Sequence, residues 1–122
     1  MALEDKTKLE LEIAHVLFID TVGYSKLRIH EQRELFDELN RVVRDTAQFR
    51  AAEASGKLTR LPTGDGMALV FTTSVETPVE CALVIARALK QHPRLAIRMG
   101  IHSGPVSRGG CQRSGQCHRR RH

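Results

Sequence analysis

Aromatic residues and cysteines are scarce in this sequence, which contains no tryptophan, one tyrosine, four phenylalanines and three cysteines. Two of the cysteines lie near the C-terminus, where Cys111 and Cys117 have a spacing to His118 and His122 that matches no zinc module. Cys81 falls inside an apolar helical pattern and is expected to be a small core residue. The cysteine content therefore argues against a disulfide framework and gives little support to a zinc site.

Long apolar runs are also missing. No segment approaches the roughly 20 apolar residues that cross a bilayer. The N-terminal sequence MALEDKTKLELEIAH is charged where a signal peptide would be apolar. We therefore expect a cytoplasmic protein, or the cytoplasmic part of a larger one, with no membrane partner for this chain.

Acidic residues are absent from the last part of the chain. A net charge of +5 would suggest nucleic-acid binding, but five of the 19 lysines and arginines are arginines located after residue 106. Residues 1–106 carry 14 basic and 14 acidic side chains. The domain itself is balanced in charge, so no nucleic-acid partner is predicted.

The remaining composition is that of one soluble globular domain, with 122 residues, 41% of them hydrophobic and 27% charged. Four segments have the pattern of strands, at 13–20, 57–62, 67–73 and 95–102. The first, IAHVLFID, is a continuous apolar run typical of a strand buried on both faces. The glycine-rich sequence TGDG between the second and third predicts a hairpin.

Two helices are predicted from apolar spacing and end signals. The first is one long helix that ends at Ser55 and Gly56. The second begins with a capping box, in which Thr77 is the cap and Pro78 the first helical residue. Its apolar face is predicted from the helical spacing of Val79, Leu83, Ala86 and Leu89.

The order strand, helix, strand, strand, helix, strand predicts an α+β, ferredoxin-like βαββαβ fold, an antiparallel sheet with both helices on one face. In that topology the third strand lies between the first and the second. The end of the first strand, at Asp20, then neighbours the start of the third, at Asp65. Two carboxylates at one sheet edge are natural ligands of a hard divalent cation such as Mg²⁺ or Mn²⁺.

Simpler interpretations of both aspartates remain open. An aspartate between two glycines is often only a turn residue, and an aspartate that ends a strand often caps the next helix. The sequence after Asp20, TVGYS, favours a ligand site, because its backbone N–H groups precede a helix and can bind phosphate.

Three blocks, VLFIDTVGYSKL, LPTGDGMALVF and LAIRMGIHSGPV, resemble in order and separation three successive blocks of the class III nucleotidyl (adenylyl/guanylyl) cyclase catalytic domain. The resemblance covers about residues 13–106. It implies a phosphorus–oxygen lyase of cyclic-nucleotide signalling, which converts ATP or GTP to the 3′,5′-cyclic nucleotide and pyrophosphate. It also implies a dimer whose sites form between subunits.

The resemblance implies a role for particular residues. Asp20, Asp65 and the backbone carbonyl of Thr21 would hold two Mg²⁺ or Mn²⁺ ions. The nucleotide and its phosphates would be bound by a set of neighbouring residues, namely Thr21, Val22, Gly23, Tyr24, Ser25 and Gly64.

Two departures from the family pattern stand out. The position of the purine-selecting lysine is occupied by Leu61, which cannot hydrogen-bond a base edge. Residues 107–122, SRGGCQRSGQCHRRRH, resemble nothing in the family and contain no asparagine to orient the ribose. We expect three regions: an N-terminal extension (1–12), an incomplete cyclase domain (13–106) and a basic, disordered, non-native tail (107–122), of the kind that a shifted reading frame in GC-rich DNA produces.

Three functions remain open on the sequence. The chain is a cyclase domain fragment, inactive alone; or it is a catalytically silent cyclase-like module for regulation or dimerisation; or it is another phosphoryl-transfer domain of this architecture, such as a diguanylate cyclase. The hairpin sequence TGDGM departs from the Gly-Gly-Asp/Glu-Glu-Phe motif of diguanylate cyclases, which disfavours the third.

Overall fold

A four-stranded antiparallel sheet carries the fold of this protein. In the computed structural model, which describes residues 11–107, the strands are β1 (Leu11–Thr21), β2 (Leu58–Pro62), β3 (Gly66–Phe71) and β4 (Ile97–Ser107). Their order in the sheet is β2-β3-β1-β4, so β3 lies between β1 and β2 and runs antiparallel to both. The predicted ferredoxin-like α+β fold is confirmed.

Three helices connect the strands. They are α1 (Ile29–Arg44), α2 (Ala47–Ala54) and α3 (Glu76–Ala88), with single 3₁₀ turns at Tyr24–Lys26 and Leu89–Gln91. Across residues 11–107, no helix is long and apolar enough to cross a membrane. Most of the predicted N-terminal extension and all of the tail beyond residue 107 lie outside the described residues.

The described residues divide into two compact units. Residues 15–102 form the larger unit, which contains the three helices, β2 and β3. The described residues of the other unit are 11–14 and 103–107, and both segments are extended strand.

The core of the larger unit lies between the helices and one face of the sheet. Alternate residues of β1 and β3 point into it, because successive side chains of a strand point to opposite faces. The helices meet this face with their own apolar residues. Its buried members are Leu17, Ile19, Leu35, Leu39, Val42, Val43, Phe49, Ala52, Met67, Leu69, Phe71, Cys81, Ile85 and Leu95.

The opposite face of the sheet is open, which corrects the prediction that β1 is buried on both faces. Phe18, in the middle of β1, is 42% exposed, and Leu61 on β2 is 44% exposed. All three helices contribute buried residues to the core on the other face, and neither Phe18 nor Leu61 belongs to that core. The continuous apolar run of β1 predicted two covered faces, and this face is covered only in part, since Ala68 beside Phe18 is 5% exposed.

The single long first helix is also corrected, because the chain breaks it at Asp45 and Thr46. Asp45 ends α1, and Thr46 adopts extended backbone as the N-cap of α2. The Thr46 hydroxyl accepts a hydrogen bond from the amide of Phe49 at 3.1 Å and donates one to the carbonyl of Val43 at 2.9 Å. Thr46 is buried and lies 3.5 Å from the Sγ of Cys81, so the break also joins α2 to α3.

The start and the inner face of α3 differ from prediction as well. The helix begins at Glu76, after Val75, and Thr77 makes no capping contact. Val79 and Leu83 are 40% and 54% exposed. Another set at helical spacing is buried instead, namely Pro78, Cys81 and Ile85. Cys81 is in the core as expected. The pKa of its thiol is raised, because the effect of burial outweighs the opposing effect of the contact with Thr46.

Candidate functional site

The two aspartates of the predicted site lie at one junction of the backbone. Asp20 is the register partner of Gly66 across the β1–β3 pair, and Asp65 directly precedes Gly66. Thr21 completes the junction, because both its amide and its hydroxyl donate to the Asp65 carbonyl, at 2.9 and 2.7 Å. Thr21 and Asp65, 44 positions apart in sequence, are thus joined through one carbonyl group.

Close packing of two backbones makes this junction possible. A Cβ atom at Gly66 would lie 1.8 Å from the carbonyl oxygen of Ile19 and 2.8 Å from the Cα of Asp20. No side chain fits there, so the glycine allows β3 to start directly against the end of β1. Gly64 differs, since a Cβ there would meet nothing within 4 Å. The hairpin therefore needs only the second of its two glycines for steric reasons.

A tight turn follows Asp20 and Thr21. Gly23 has φ 77° and ψ 12°, a left-handed conformation that favours glycine, and open space surrounds its missing side chain. The 3₁₀ turn Tyr24–Lys26 begins there, and the amide of Val22 donates to the carbonyl of Ala96 at 2.7 Å. The amide of Lys26 donates to the Gly23 carbonyl at 3.1 Å, whereas the amides that precede it at the start of the turn have no acceptor within the turn and are the ones an anion can use.

Two further contacts hold this turn in place, and the sequence patterns did not predict them. The side-chain amide of Gln32, on the first turn of α1, donates to the carbonyl of Tyr24 at 2.9 Å. Glu31 accepts a hydrogen bond from the amide of Arg28 at 3.0 Å, which caps α1. Lys26, in the turn, and Arg28, two residues later, have exposed side chains.

Leu61 lies on the sheet face that carries Asp20. Leu61 pairs with Ala68, and Ala68 pairs on its other side with Phe18, so the three residues form a row across β2, β3 and β1. Asp20 follows Phe18 by two positions and therefore lies on the same face. The predicted purine-selecting position is thus part of an apolar row beside the aspartates.

The donor set at the junction consists of oxygen atoms. Within residues 11–107, no group of three or more His, Cys, Asp or Glu side chains comes together as a complete metal site. Asp20 and Asp65 provide two carboxylates, one half-buried and one exposed. Mg²⁺ in phosphate-transferring sites is commonly bound by one or two carboxylates, with the rest of its shell from water and substrate phosphates. The residues therefore fit such an ion when phosphate is also present.

The sequence patterns located the aspartates and the glycine turn, but not the contacts that position them. The Thr21 hydroxyl gives no sequence signal, since its acceptor is 44 positions away. The steric requirement at Gly66 could have been inferred only from the register of β1 against β3. Sequence spacing does not fix that register.

No family model and no curated protein matches this sequence. Solved structures do match. A bacterial light-regulated adenylyl cyclase superimposes with a TM-score of 0.63 at 21% identity, covering 80% of this chain and 56% of that one. A second structure of the same description covers 81% of this chain and 32% of its own, with a TM-score of 0.63.

A third structure, an adenylate/guanylate cyclase/hydrolase from Silicibacter pomeroyi, matches at 26% identity with a TM-score of 0.52. The match covers 80% of this chain and 59% of that structure. The chain therefore spans less than two thirds of each of these structures. These matches show that the protein has the fold of a class III cyclase-like domain.

Proposed function

We propose that this chain is the metal- and phosphate-binding part of a nucleotidyl cyclase domain. The intact parent would convert ATP or GTP to the 3′,5′-cyclic nucleotide and pyrophosphate. In this proposal, Asp20 and Asp65 bind two Mg²⁺ or Mn²⁺ ions, and residues 22–25 bind the phosphates.

One observation carries the proposal: the two hydrogen bonds from Thr21 to the Asp65 carbonyl. A turn aspartate with no other role needs no second element to hold its backbone. Here Thr21, the residue after Asp20, binds the backbone of Asp65 through hydrogen bonds from both its amide and its buried hydroxyl. A junction that holds two carboxylate-bearing residues at neighbouring strand ends supports a ligand site, since ligands on strand ends are held more rigidly than ligands on free loops.

Each part of the site has a separate task in the proposed reaction. The carboxylates of Asp20 and Asp65 hold the cations and orient the triphosphate. Asp20 and Asp65 would hold two such ions, which would supply activation of the ribose hydroxyl and neutralisation of charge on the pyrophosphate. The amides of Gly23, Tyr24 and Ser25 hydrogen-bond phosphate oxygens, and open space at Gly23 and Gly64 leaves room for them.

The apolar row beside the aspartates supports a place for the base. Phe18 and Leu61 present exposed apolar surface on the face that carries Asp20, and a purine ring can pack against such side chains. The same open face supports the dimer that the resemblance implies, because a second copy would cover apolar residues that the helices leave exposed.

A catalytically silent module remains the second candidate function, and Leu61 is the observation that favours it. A leucine cannot donate to or accept from a base edge, so this site lacks the polar contact that selects a purine. Such a module would keep the fold and bind a second cyclase-like domain without turning over nucleotide.

Manganese binding by the purified chain tests the proposed site directly. We expect wild-type protein to bind Mn²⁺ in the presence of a non-hydrolysable ATP analogue, measured by electron paramagnetic resonance as a loss of the free Mn²⁺ signal beyond the loss that the analogue alone produces. Asp20→Asn and Asp65→Asn should each weaken binding by about tenfold or more, because each removes one of two charged ligands.

Asp37→Asn is the matched control, since it makes the same change at an exposed position of α1. Equal affinities of all four proteins would reject the proposed site. Cyclic nucleotide formation from Mn-ATP and Mn-GTP by the intact parent would separate the enzyme from the silent module, which binds metal without turnover.

A further inference from the structure

Thr21 carries a buried hydroxyl that the proposed reaction does not use. Thr21 is 2% exposed, and within residues 11–107 it and Thr46 are the two buried polar residues. A buried hydroxyl without a partner is costly, so its hydrogen bond is part of the fold. That partner is the carbonyl of Asp65, 2.7 Å away.

The same carbonyl accepts a second hydrogen bond, from the Thr21 amide at 2.9 Å. A carbonyl oxygen has two lone pairs, so Thr21 alone occupies both. The hydrogen bond from the Thr21 amide is a backbone contact, so any residue except proline at position 21 would make it. The hydrogen bond from the side-chain hydroxyl requires threonine or serine at this position. It fixes the direction of the peptide group that follows Asp65.

We propose that Thr21 is a positioning residue, whose hydroxyl fixes the Asp65 backbone so that Asp65 and Asp20 hold divalent cations together. This inference deepens the proposed function and rests on it. Thr21 acts through Asp65, and its side chain is not expected to touch the metal or the substrate.

The geometry around Gly66 supports this role. The missing side chain of Gly66 already lets the hairpin approach within contact distance of Ile19 and Asp20. On the hairpin side, the Thr63 amide donates to the Gly66 carbonyl at 3.1 Å, which closes the turn. The turn is therefore closed by its own bond and fixed to β1 by Thr21, and Asp65 lies between these two attachments.

Two variants separate the hydroxyl from the rest of the side chain. Thr21→Val keeps the shape and the amide bond but removes the hydroxyl. Thr21→Ser keeps the hydroxyl and removes a methyl group. Thr46→Val is the control, because it removes the hydroxyl of another buried threonine, away from the aspartates.

Mn²⁺ affinity of the full 122-residue chain is the first measurement. We expect Thr21→Val to weaken Mn²⁺ binding by about three- to tenfold, the effect of one hydrogen bond. Thr21→Ser and Thr46→Val should stay within about twofold of wild type. Wild-type affinity in Thr21→Val, or equal losses in Thr21→Ser or Thr46→Val, would overturn the inference.

Hydrogen exchange of the amides of residues 63–66, measured without metal, is the second measurement. We expect faster exchange in Thr21→Val than in wild type or Thr21→Ser. Unchanged exchange rates would overturn the positioning role, whatever the Mn²⁺ affinities of the variants are. Faster exchange together with no Mn²⁺ binding by wild type would instead reject the proposed function and leave only a structural tie between Thr21 and Asp65.

Discussion

At the scale of single residues, small groups position the two aspartates of the candidate site. A hydroxyl at Thr21 and a missing Cβ at Gly66 hold the junction, and a left-handed glycine at position 23 turns the chain away from it. Each of these features can be removed by one substitution that leaves both carboxylates in place. They can therefore be tested without changing the charge of the site.

Gly66→Ala should destabilise the protein strongly. The new Cβ would lie 1.8 Å from the Ile19 carbonyl oxygen, and since the obstacle is backbone it cannot move aside alone. We expect a loss of about 3 kcal/mol in the free energy of unfolding, measured by urea denaturation. Gly64→Ala, where a Cβ has open space, should change it by less than about 0.5 kcal/mol. Equal losses at the two positions would contradict the close approach.

Leu61→Lys should change the choice between purines. A polar group that meets the base edge discriminates far better than an apolar wall, so the ratio of ATP to GTP affinity should shift by about tenfold or more. Fluorescent ATP and GTP analogues, titrated with Mn²⁺, measure this ratio. Thr59→Lys is the control, because Thr59 is exposed and lies on the same strand and face, two residues away. An unchanged ratio in Leu61→Lys would mean that the base binds elsewhere.

At the scale of elements, the helices on the core face are joined by side chains at their ends. Thr46 caps α2, contacts α3 at Cys81 and bonds back to the last turn of α1. Arg60 on β2 donates to the side-chain oxygen of Asn40 on α1 at 3.2 Å. The break between α1 and α2 is therefore a packed corner and not a frayed end.

Thr46→Val should lower the free energy of unfolding by about 1–2 kcal/mol, the usual loss for an N-cap. The isosteric valine removes the cap acceptor and the donor to Val43 while it keeps the buried volume. Thr46→Ser, which retains the hydroxyl, should lose less. Thermal or urea unfolding of both variants checks this, and a larger loss in the serine variant would show that the methyl group matters more than the cap.

The sequence predicted the order of the elements better than their faces and ends. The strands fall within a few residues of their predicted bounds, apart from the longer β4, because hairpin and strand signals are local. The face of α3 was wrong because this helix is apolar on more than one side. Val79 with Leu83 and Cys81 with Ile85 both fit a helical period, and only packing against α2 decides between them. The break at Thr46 was missed because it carries no glycine or proline, although threonine is a favoured N-cap residue.

At the scale of the whole molecule, polar contacts join elements that are far apart in sequence around one apolar core. Thr21 reaches Asp65, and Glu38 on α1 lies 2.6 Å from the Nδ1 of His92, which follows α3. The aspartate junction was predictable because the topology alone brings the end of β1 beside the start of β3. Its fine geometry was not, since it depends on contacts between residues more than 40 positions apart.

The 122-residue chain should bind Mn²⁺ and nucleotide without producing cyclic nucleotide. The resemblance assigns the ribose to an asparagine, which residues 107–122 lack, and the transition-state charge to an arginine on a helix, whereas the five arginines of this segment lie in a sequence that resembles nothing in the family. Loss of such charge stabilisation commonly costs about a hundredfold or more in rate. Product formation from Mn-ATP or Mn-GTP, followed by chromatography, measures this, with Asp20→Asn as the blank. Turnover by the wild-type chain above that blank would contradict the prediction.

The backbone contact at Gly66 also limits how this protein can vary. Every single-nucleotide change that replaces a glycine introduces a side chain or a stop codon. No such amino-acid replacement at position 66 is therefore expected to leave the fold unaffected. Gly64, two residues earlier, has open space where a Cβ would lie, so the fold can accept a small side chain there. In a saturation library selected for folding, we expect position 66 to keep glycine while position 64 accepts small residues. The boundary between tolerance and intolerance would then fall within the hairpin, at Asp65.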